Sequence, residues 1–376
     1  MKKMLFRKLF IDYMSFFLIA LFSSSIVIWV FQSVNYLDIM IEDGRDYTVY
    51  LSYSFLNFPK IINKLFPFAL FFSLFHLMLK YESSNELMIF WNFGVNKMEL
   101  INFIFKSSLI LMLIQITLSS FVVPLSQNLA RSFLKNSTVS FFGNFIKPRI
   151  FNDTIKNVTI YAEKKDTYGN LFNLYLKKKM NNNDFQITYA KKGVFKEFND
   201  IPVLVLYDGE TITGRDNEIT NFSFSKSDFP LNNLDSNTTT YTKTQEISSV
   251  NLLKCVKYLY SKKNNLAKDI ANCSKKNLVN IFKELYKRII IPFYIPLLML
   301  VPFLLVLSSK ENLGYSKLKI VTFFTGLIII IFSETTIRLI SEITLKNLII
   351  SLMPFLLLST LYFILFKKNN FSHLIK

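Results

Sequence analysis

Six stretches of this chain are long and apolar enough to cross a lipid bilayer, three on each side of a long polar interval: residues 13–34, 61–79 and 100–123, then 289–308, 320–340 and 348–366. A spanning helix needs about 20 mostly apolar residues, because the hydrocarbon core offers no water to backbone N–H and C=O groups. That requirement points to an α-helical membrane protein with a large insertion between its third and fourth spans. The composition agrees: 51% hydrophobic, with 40 phenylalanines in 376 residues. The second stretch is interrupted by Lys64 and Pro67, and the third carries Lys106 near its start. The N-terminal stretch follows Met1-Lys2-Lys3, but it is longer than a signal-peptide core and no small-x-small site closes it, so it reads as a retained span.

Orientation follows from the short loops. One side carries Lys2, Lys3, Arg7, Lys8, Lys80, Lys97, Lys310, Lys317, Lys319, Lys367, Lys368 and Lys376; the other carries Arg45, Lys60 and Lys346, together with the acidic run Asp38, Glu42, Asp43 and Asp46. The positive-inside bias puts both termini in the cytoplasm and the long interval outside. The net charge of +18 reads first as compositional bias, with nucleic acid or an anionic membrane surface as the alternatives, and no nucleic-acid partner is expected. Cys255 and Cys273 lack metal-ligand spacing; a bridge between them needs a compartment outside the cytosol, and the reading favours unpaired thiols. His76 and His373 are too few for a His-based metal site or triad.

Inside the interval, residues 124–250 alternate like short strands, with candidates at 158–161, 171–176, 185–190, 203–207, 211–213 and 219–224. Turn residues separate them: Asp166 and Gly169, residues 181–184, Asn199-Asp200 and residues 214–217. Asp208-Gly209 lies between two apolar runs and predicts a hairpin. Many short strands at this spacing suggest an all-β sandwich or jelly-roll-like domain. Residues 251–288 read as a helical connector, with Leu252, Leu253, Val256, Leu259 and Tyr260 at helical spacing, and residues 289–376 hold the last three spans.

The loop joining spans two and three, about residues 83–95, is the sharpest local signal. Ser83 with Glu86 three residues later predicts a capping box, and Gly94 a helix stop. The short helix between them is expected to expose Leu87, Phe90 and Trp91. It either docks into a partner's groove or lies in the membrane interface, and the residues alone allow both.

The loop Glu86-Leu87…Gly94 resembles the coupling helix of the LptF/LptG lipopolysaccharide export permeases, with Asn85 where the family has Ser. The resemblance extends along the chain. Arg7 and Asp12 are similar to the family's opening pair, Leu65-Phe66-Pro67 to the start of its second span, and Val123-Pro124 with Ala130-Arg131 to the exit of its third. Glu284-Leu285…Arg288…Pro292 and Val301-Pro302 are similar to its fourth span; a Tyr161 strand, an Ala190 strand and Leu206-Tyr207-Asp208-Gly209 resemble its outer domain, on the LptF side of the family. The resemblance implies an inner-membrane, multi-pass permease subunit of an ABC-type exporter that extracts lipopolysaccharide. It would work with a second LptF/LptG-type subunit, a cytoplasmic ATPase dimer and periplasmic jelly-roll proteins of the LptC/LptA kind. Glu86, Leu87, Phe90, Trp91 and Gly94 would couple to the ATPase.

Glu334 and Arg338 stand at i and i+4 in span five, a spacing that allows pairing on one helix face. Charges inside a membrane are costly and point to function. The expectation is that Arg338 meets lipid phosphates and Glu334 orients it, with a plain structural pair as the bland reading. Lys287 and Arg288 open span four, where a basic cluster attracts anionic lipid or anchors the interface. No Walker A run, nucleophile elbow or metal-spaced cluster occurs, so no cofactor and no catalysis by this chain are expected. Two alternatives remain: a mechanotransmission permease of the FtsX/MacB kind, which usually has four spans with the outer domain after the first, and a membrane-anchored sensor with an outer ligand-binding sandwich.

Overall fold

The structure, a computed structural model, describes residues 2–37, 47–136, 146–155, 158–166, 169–179, 184–198, 201–215, 218–230, 243–261, 272–307, 311 and 313–374. The acidic run from Asp38 to Asp46 with Arg45, the turns at 181–183, 199–200 and 216–217, and Lys310 and Lys376 lie outside these residues. The chain divides into two compact units: residues 1–30, 57–128 and 242–376, and residues 31–56 with 129–241.

The first unit is a helical bundle. Its elements are α1 (Lys2–Asn35), α2 (Tyr47–Ser83), the short α3 (Glu86–Asn92), α4 (Lys97–Thr117) and α5 (Val123–Asn136), then α6 (Ser249–Ser261), α7 (Leu278–Ile289), α8 (Tyr294–Leu300), α9 (Tyr315–Thr336) and α10 (Thr344–Leu374). Helices α1, α2 and α5 cross the boundary between the units. Six helices are long and apolar enough to span a membrane. The fourth of them is the innermost, with 78% of its apolar window buried against 17%, 22% and 17% for the first, fifth and sixth. Tyr13, Phe17, Leu70, Leu74, Leu100, Ile104, Ile295, Met299 and Phe303 make the shared core. Ile19, Val27, Ile328, Ile331 and Leu356 face outward, as apolar side chains do where the solvent is lipid.

Prolines shape this bundle. Span four carries Pro292, Pro296 and Pro302 and breaks into α7, a 3₁₀ turn (Ile291–Phe293), α8 and a second 3₁₀ stretch (Val301–Leu307). Proline lacks the N–H for the i−4 bond and crowds that carbonyl. In α2, Pro59 and Pro67 are instead carried within one continuous helix, so the interruption expected at Lys64 and Pro67 does not break span two. Lys60, expected in a short loop, lies inside the same helix. Span three continues from α4 through a π-helical turn (Leu118–Val122) into α5.

The second unit holds six antiparallel strands paired in chain order: β1 (Asn152–Ile155), β2 (Val158–Lys165), β3 (Leu171–Lys179), β4 (Phe185–Phe198), β5 (Ile201–Arg215) and β6 (Glu218–Pro230). The hairpin expected at Asp208-Gly209 is not there. Both residues sit inside β5, which runs on from Ile201 to Arg215. They mark a crease instead. The register from β2 to β6 skips one position per strand along the line Glu163, Asn173, Lys191, Asp208 and Ser225. Asn173 and Asp208 on that line both have φ 49°, a left-handed conformation that Asn and Asp tolerate. Across the line the buried face changes parity: Ile160, Ala162, Leu174, Leu176 and Ala190 on one side, Leu171, Leu204, Leu206 and Phe229 on the other. Both sets join one core cluster, so the crease lets a single sheet bury a face on each side of itself. Gly209 is required there, because a Cβ would sit 2.2 Å from the Tyr189 carbonyl oxygen.

Candidate functional site

Two regions gather the residues singled out from the sequence. The first is α3. Ser83 is the last residue of α2, and its hydroxyl donates back to the Lys80 carbonyl at 2.9 Å, so the expected capping box does not form. Asn85 turns the chain instead, at φ 61°. The expected stop is present: Gly94 has φ +71°, its N–H donates to Trp91 O at 3.0 Å, and Val95 N–H donates to Phe90 O at 3.0 Å. That pair of bonds is a Schellman termination, and Val95 and Phe90 are both buried in the same core, as the motif favours.

The exposed face of α3 differs from the expected one. Leu87 and Phe90 point into the bundle at 3% and 4% exposure, with Phe90 edge-on to Phe6 and beside Tyr81. Trp91 is half-buried. The outward side chains are Met88, Ile89 and, just past the helix, Phe93. A seven-residue helix needs tertiary packing to persist, and its two best apolar side chains supply it. Glu86 lies 3.5 Å from Lys8 of α1. Nearby, Tyr81 donates to Asp12 at 2.6 Å and Lys2 pairs with Glu99 at 3.0 Å, so three polar contacts tie α1 to α2, α3 and α4.

The second region is a cavity of about 200 Å³ within the helical unit, lined by α2, span three, α7 and Glu334 of α9. Its walls are joined where prolines free carbonyls. Pro67 has no N–H for Asn63 O, and Gln115 Nε2 donates there at 3.0 Å. Pro124 has none for Ser120 O, which takes the Ser249 hydroxyl at 2.8 Å. Pro292 has none for Arg288 O, which takes the Ser119 hydroxyl at 2.9 Å. A carbonyl without a partner is costly in an apolar interior, so each donor holds two elements together.

Lys60, Lys64, Lys287 and Glu334 line this cavity, and among the described residues none of them makes an ion pair. Lys60 Nζ has one weak contact, 3.5 Å to Gln245 Oε1, and lies within electrostatic range of Lys287, Lys243, Glu284 and Glu246. Gln115 Oε1 and Gln127 Oε1 are buried without a hydrogen-bond partner. Beside the Glu284–Arg288 pair, the cavity therefore offers three ammonium groups, the carboxylate of Glu334 and two carboxamide ends. It suits a small anionic group that also carries hydroxyls.

The four charges expected to meet lipid separate. Glu334, Lys287 and Arg288 line the cavity. Arg338 is exposed and is not part of its lining. No ion pair joins Arg338 to Glu334, because α9 ends at Thr336 and a 3₁₀ turn (Ile337–Leu339) rotates the arginine off the i+4 face. Arg288 is 2% exposed and spends its guanidinium on the protein: Nε on Glu284 at 3.0 Å, Nη1 on Ile247 O at 2.8 Å and Ser249 Oγ at 2.9 Å, Nη2 on Gln245 O at 2.8 Å. It also borders the cavity, so of the four charges only Arg338 lies apart from it.

Cys255 and Cys273, expected to be unpaired, form a disulfide that fastens α6 to the start of α7. The residues missed from the sequence are Lys60, Lys64, Gln115, Ser119 and Gln127. Their signal was there: Lys60 and Lys64 are four apart, and Gln115, Ser119 and Gln127 fall at multiples of four within an apolar span.

The family profile described as "Lipopolysaccharide export system permease LptF/LptG" matches residues 7–368. An uncharacterized protein of Rickettsia prowazekii (strain Madrid E) is 24% identical over 318 residues, covering 82% of this chain and 84% of that protein.

Proposed function

Because the chain belongs to the LptF/LptG family of lipopolysaccharide export permeases, a family of multi-pass inner-membrane transport components, we propose that it is a subunit of an ABC-type exporter driven by a separate cytoplasmic ATPase. The single observation that carries this finer reading is α3. It is a short helix with a defined stop, braced on α1 by Glu86 and Lys8, whose Met88, Ile89 and Phe93 are left outward. An apolar knob on an anchored helix is a good handle for a partner's groove. In this reading Leu87, Phe90 and Gly94 set the angle of the helix, and Met88, Ile89 and Phe93 touch the ATPase. Both termini are cytoplasmic, and the creased sheet is the periplasmic jelly-roll-like domain that hands lipid to LptC/LptA-like partners. The disulfide supports that side for residues 255–273, since such bonds persist in oxidising compartments.

The cavity supplies the lipid contact. Lys60, Lys64 and Lys287 take a phosphate of the headgroup, and the Gln115 and Gln127 carboxamides take its sugar hydroxyls. At about 200 Å³ the space is below the range of pockets that enclose whole drug-sized ligands, so it fits a headgroup and leaves the acyl chains in the bilayer. A second permease subunit completes the transporter.

The test is affinity capture of the full chain from bacterial membranes. A nucleotide-hydrolysing subunit is expected with the wild type and lost with Ile89→Glu. Recovery of no such subunit with the wild type would overturn the ABC reading and favour an anchored sensor.

A further inference from the structure

The segment 243–249, where the chain returns to the helical unit, is held in an unusual way. Apart from one 3₁₀ turn (Thr244–Glu246) and Ser249, where α6 begins, it is not helical, yet hydrogen bonds join it to three other elements. Arg288 of α7 donates to Gln245 O, Ile247 O and Ser249 Oγ. Asn277 Nδ2 donates to Thr244 Oγ1 at 3.1 Å, and Ser249 in turn donates to Ser120 O in the π-helical turn. Gln245 is also part of the cavity wall, where its side chain accepts from Lys60.

We propose that residues 243–249 are a latch on the cavity, closed by the Arg288 fork, and that seating of a phosphate-bearing headgroup and closure of the latch favour each other. The proposal rests on the headgroup reading of the cavity. The physical reason is position. The fork holds Gln245 by its carbonyl, and the Gln245 side chain stands in the cavity wall 3.5 Å from Lys60 Nζ, so the closed latch supplies part of the surface that a headgroup seated on Lys60 would touch. A seated headgroup thereby favours closure. By linkage, a latch held shut must bind the anion more tightly by the same factor. Arg288 is thus a positioning residue: it acts on the ligand through the segment that it holds, since four of its five N–H donors are occupied by protein.

The experiment uses the full chain in detergent with Ser249→Cys as a reporter, a buried position at the end of the latch that labels only when the latch opens. Cys255 and Cys273 are bonded to each other, so the new thiol is the one that reacts. The probes are a phosphorylated acyl-glucosamine disaccharide, its dephosphorylated form, and inorganic phosphate. Expected is slower thiol labelling with the phosphorylated lipid and no change with the dephosphorylated one; a response to inorganic phosphate too would show that phosphate alone suffices, and its absence that the lipid headgroup is needed. Arg288→Lys keeps the charge and loses the fork. It is expected to weaken lipid binding about fivefold or more and to abolish the protection. Asn277→Ala, which removes the Thr244 bond together with the local bonds to Asn272 O and Asn280 and leaves the Arg288 fork in place, is the milder second variant and should move both readouts the same way by less. If both variants bind and protect like the wild type, the latch is overturned and the headgroup reading stands. If the wild type binds none of the probes, the headgroup reading falls and the latch with it.

Discussion

The cavity and α3 are held by different forces. Around the cavity, side chains donate to carbonyls that prolines have freed, and Arg288 makes four bonds to one neighbourhood. At α3, two apolar side chains sink into the core, and the polar tie from Lys8 to Glu86 is a largely exposed one at 3.5 Å. Directional bonds fix where charges point, which the proposed headgroup site needs. Apolar packing fixes a helix firmly but leaves its outer face open to whatever docks there.

Four substitutions sharpen or break that contrast. The largest effect on stability is expected at Phe90→Ala, about 3–5 kcal/mol, since a buried aromatic leaves a void; denaturation in detergent measures it. Arg288→Ala comes next at about 2–3 kcal/mol, because it strands carbonyls and the Glu284 carboxylate in a buried place. Gln115→Leu should cost about 1–2 kcal/mol, mostly from the Asn63 carbonyl that Pro67 cannot serve. Met88→Glu is expected within about 0.5 kcal/mol of wild type, yet to lose ATPase capture. If Met88→Glu destabilised as much as Phe90→Ala, α3 would have no free face and the contrast would fail.

Much of the fold was legible. Apolar length revealed the six spans and their three-plus-three arrangement, and alternation revealed an inserted β domain. The Gly94 stop was legible because a left-handed helix end favours glycine over other residues. The capping box was misread because Ser83 is already committed to α2, and a capping motif looks the same whether or not the preceding helix has ended. Asp208-Gly209 was misread for a related reason. The residues that allow a tight turn also allow a crease, and the long pairing of β5 with both neighbours decided for the crease. Arg288 had the same charge as the lysines around it, and nothing local told that its fork would be consumed by a segment some 40 residues away in sequence, as the separations of 39 to 43 residues record.

What the sequence determined by itself was everything that depends on transfer from water to lipid and on local backbone preference: the spans, the strands, the helix stop, and the carbonyls that Pro67, Pro124 and Pro292 would leave open. Which groups close those carbonyls was decided only by the tertiary structure, because the donors stand 52, 129 and 169 residues away. The same holds for the buried face of α3 and for the bond between Cys255 and Cys273. Hydropathy and periodicity are properties of neighbours along the chain, whereas a hydrogen-bond partner is chosen by proximity in space once the helices have packed.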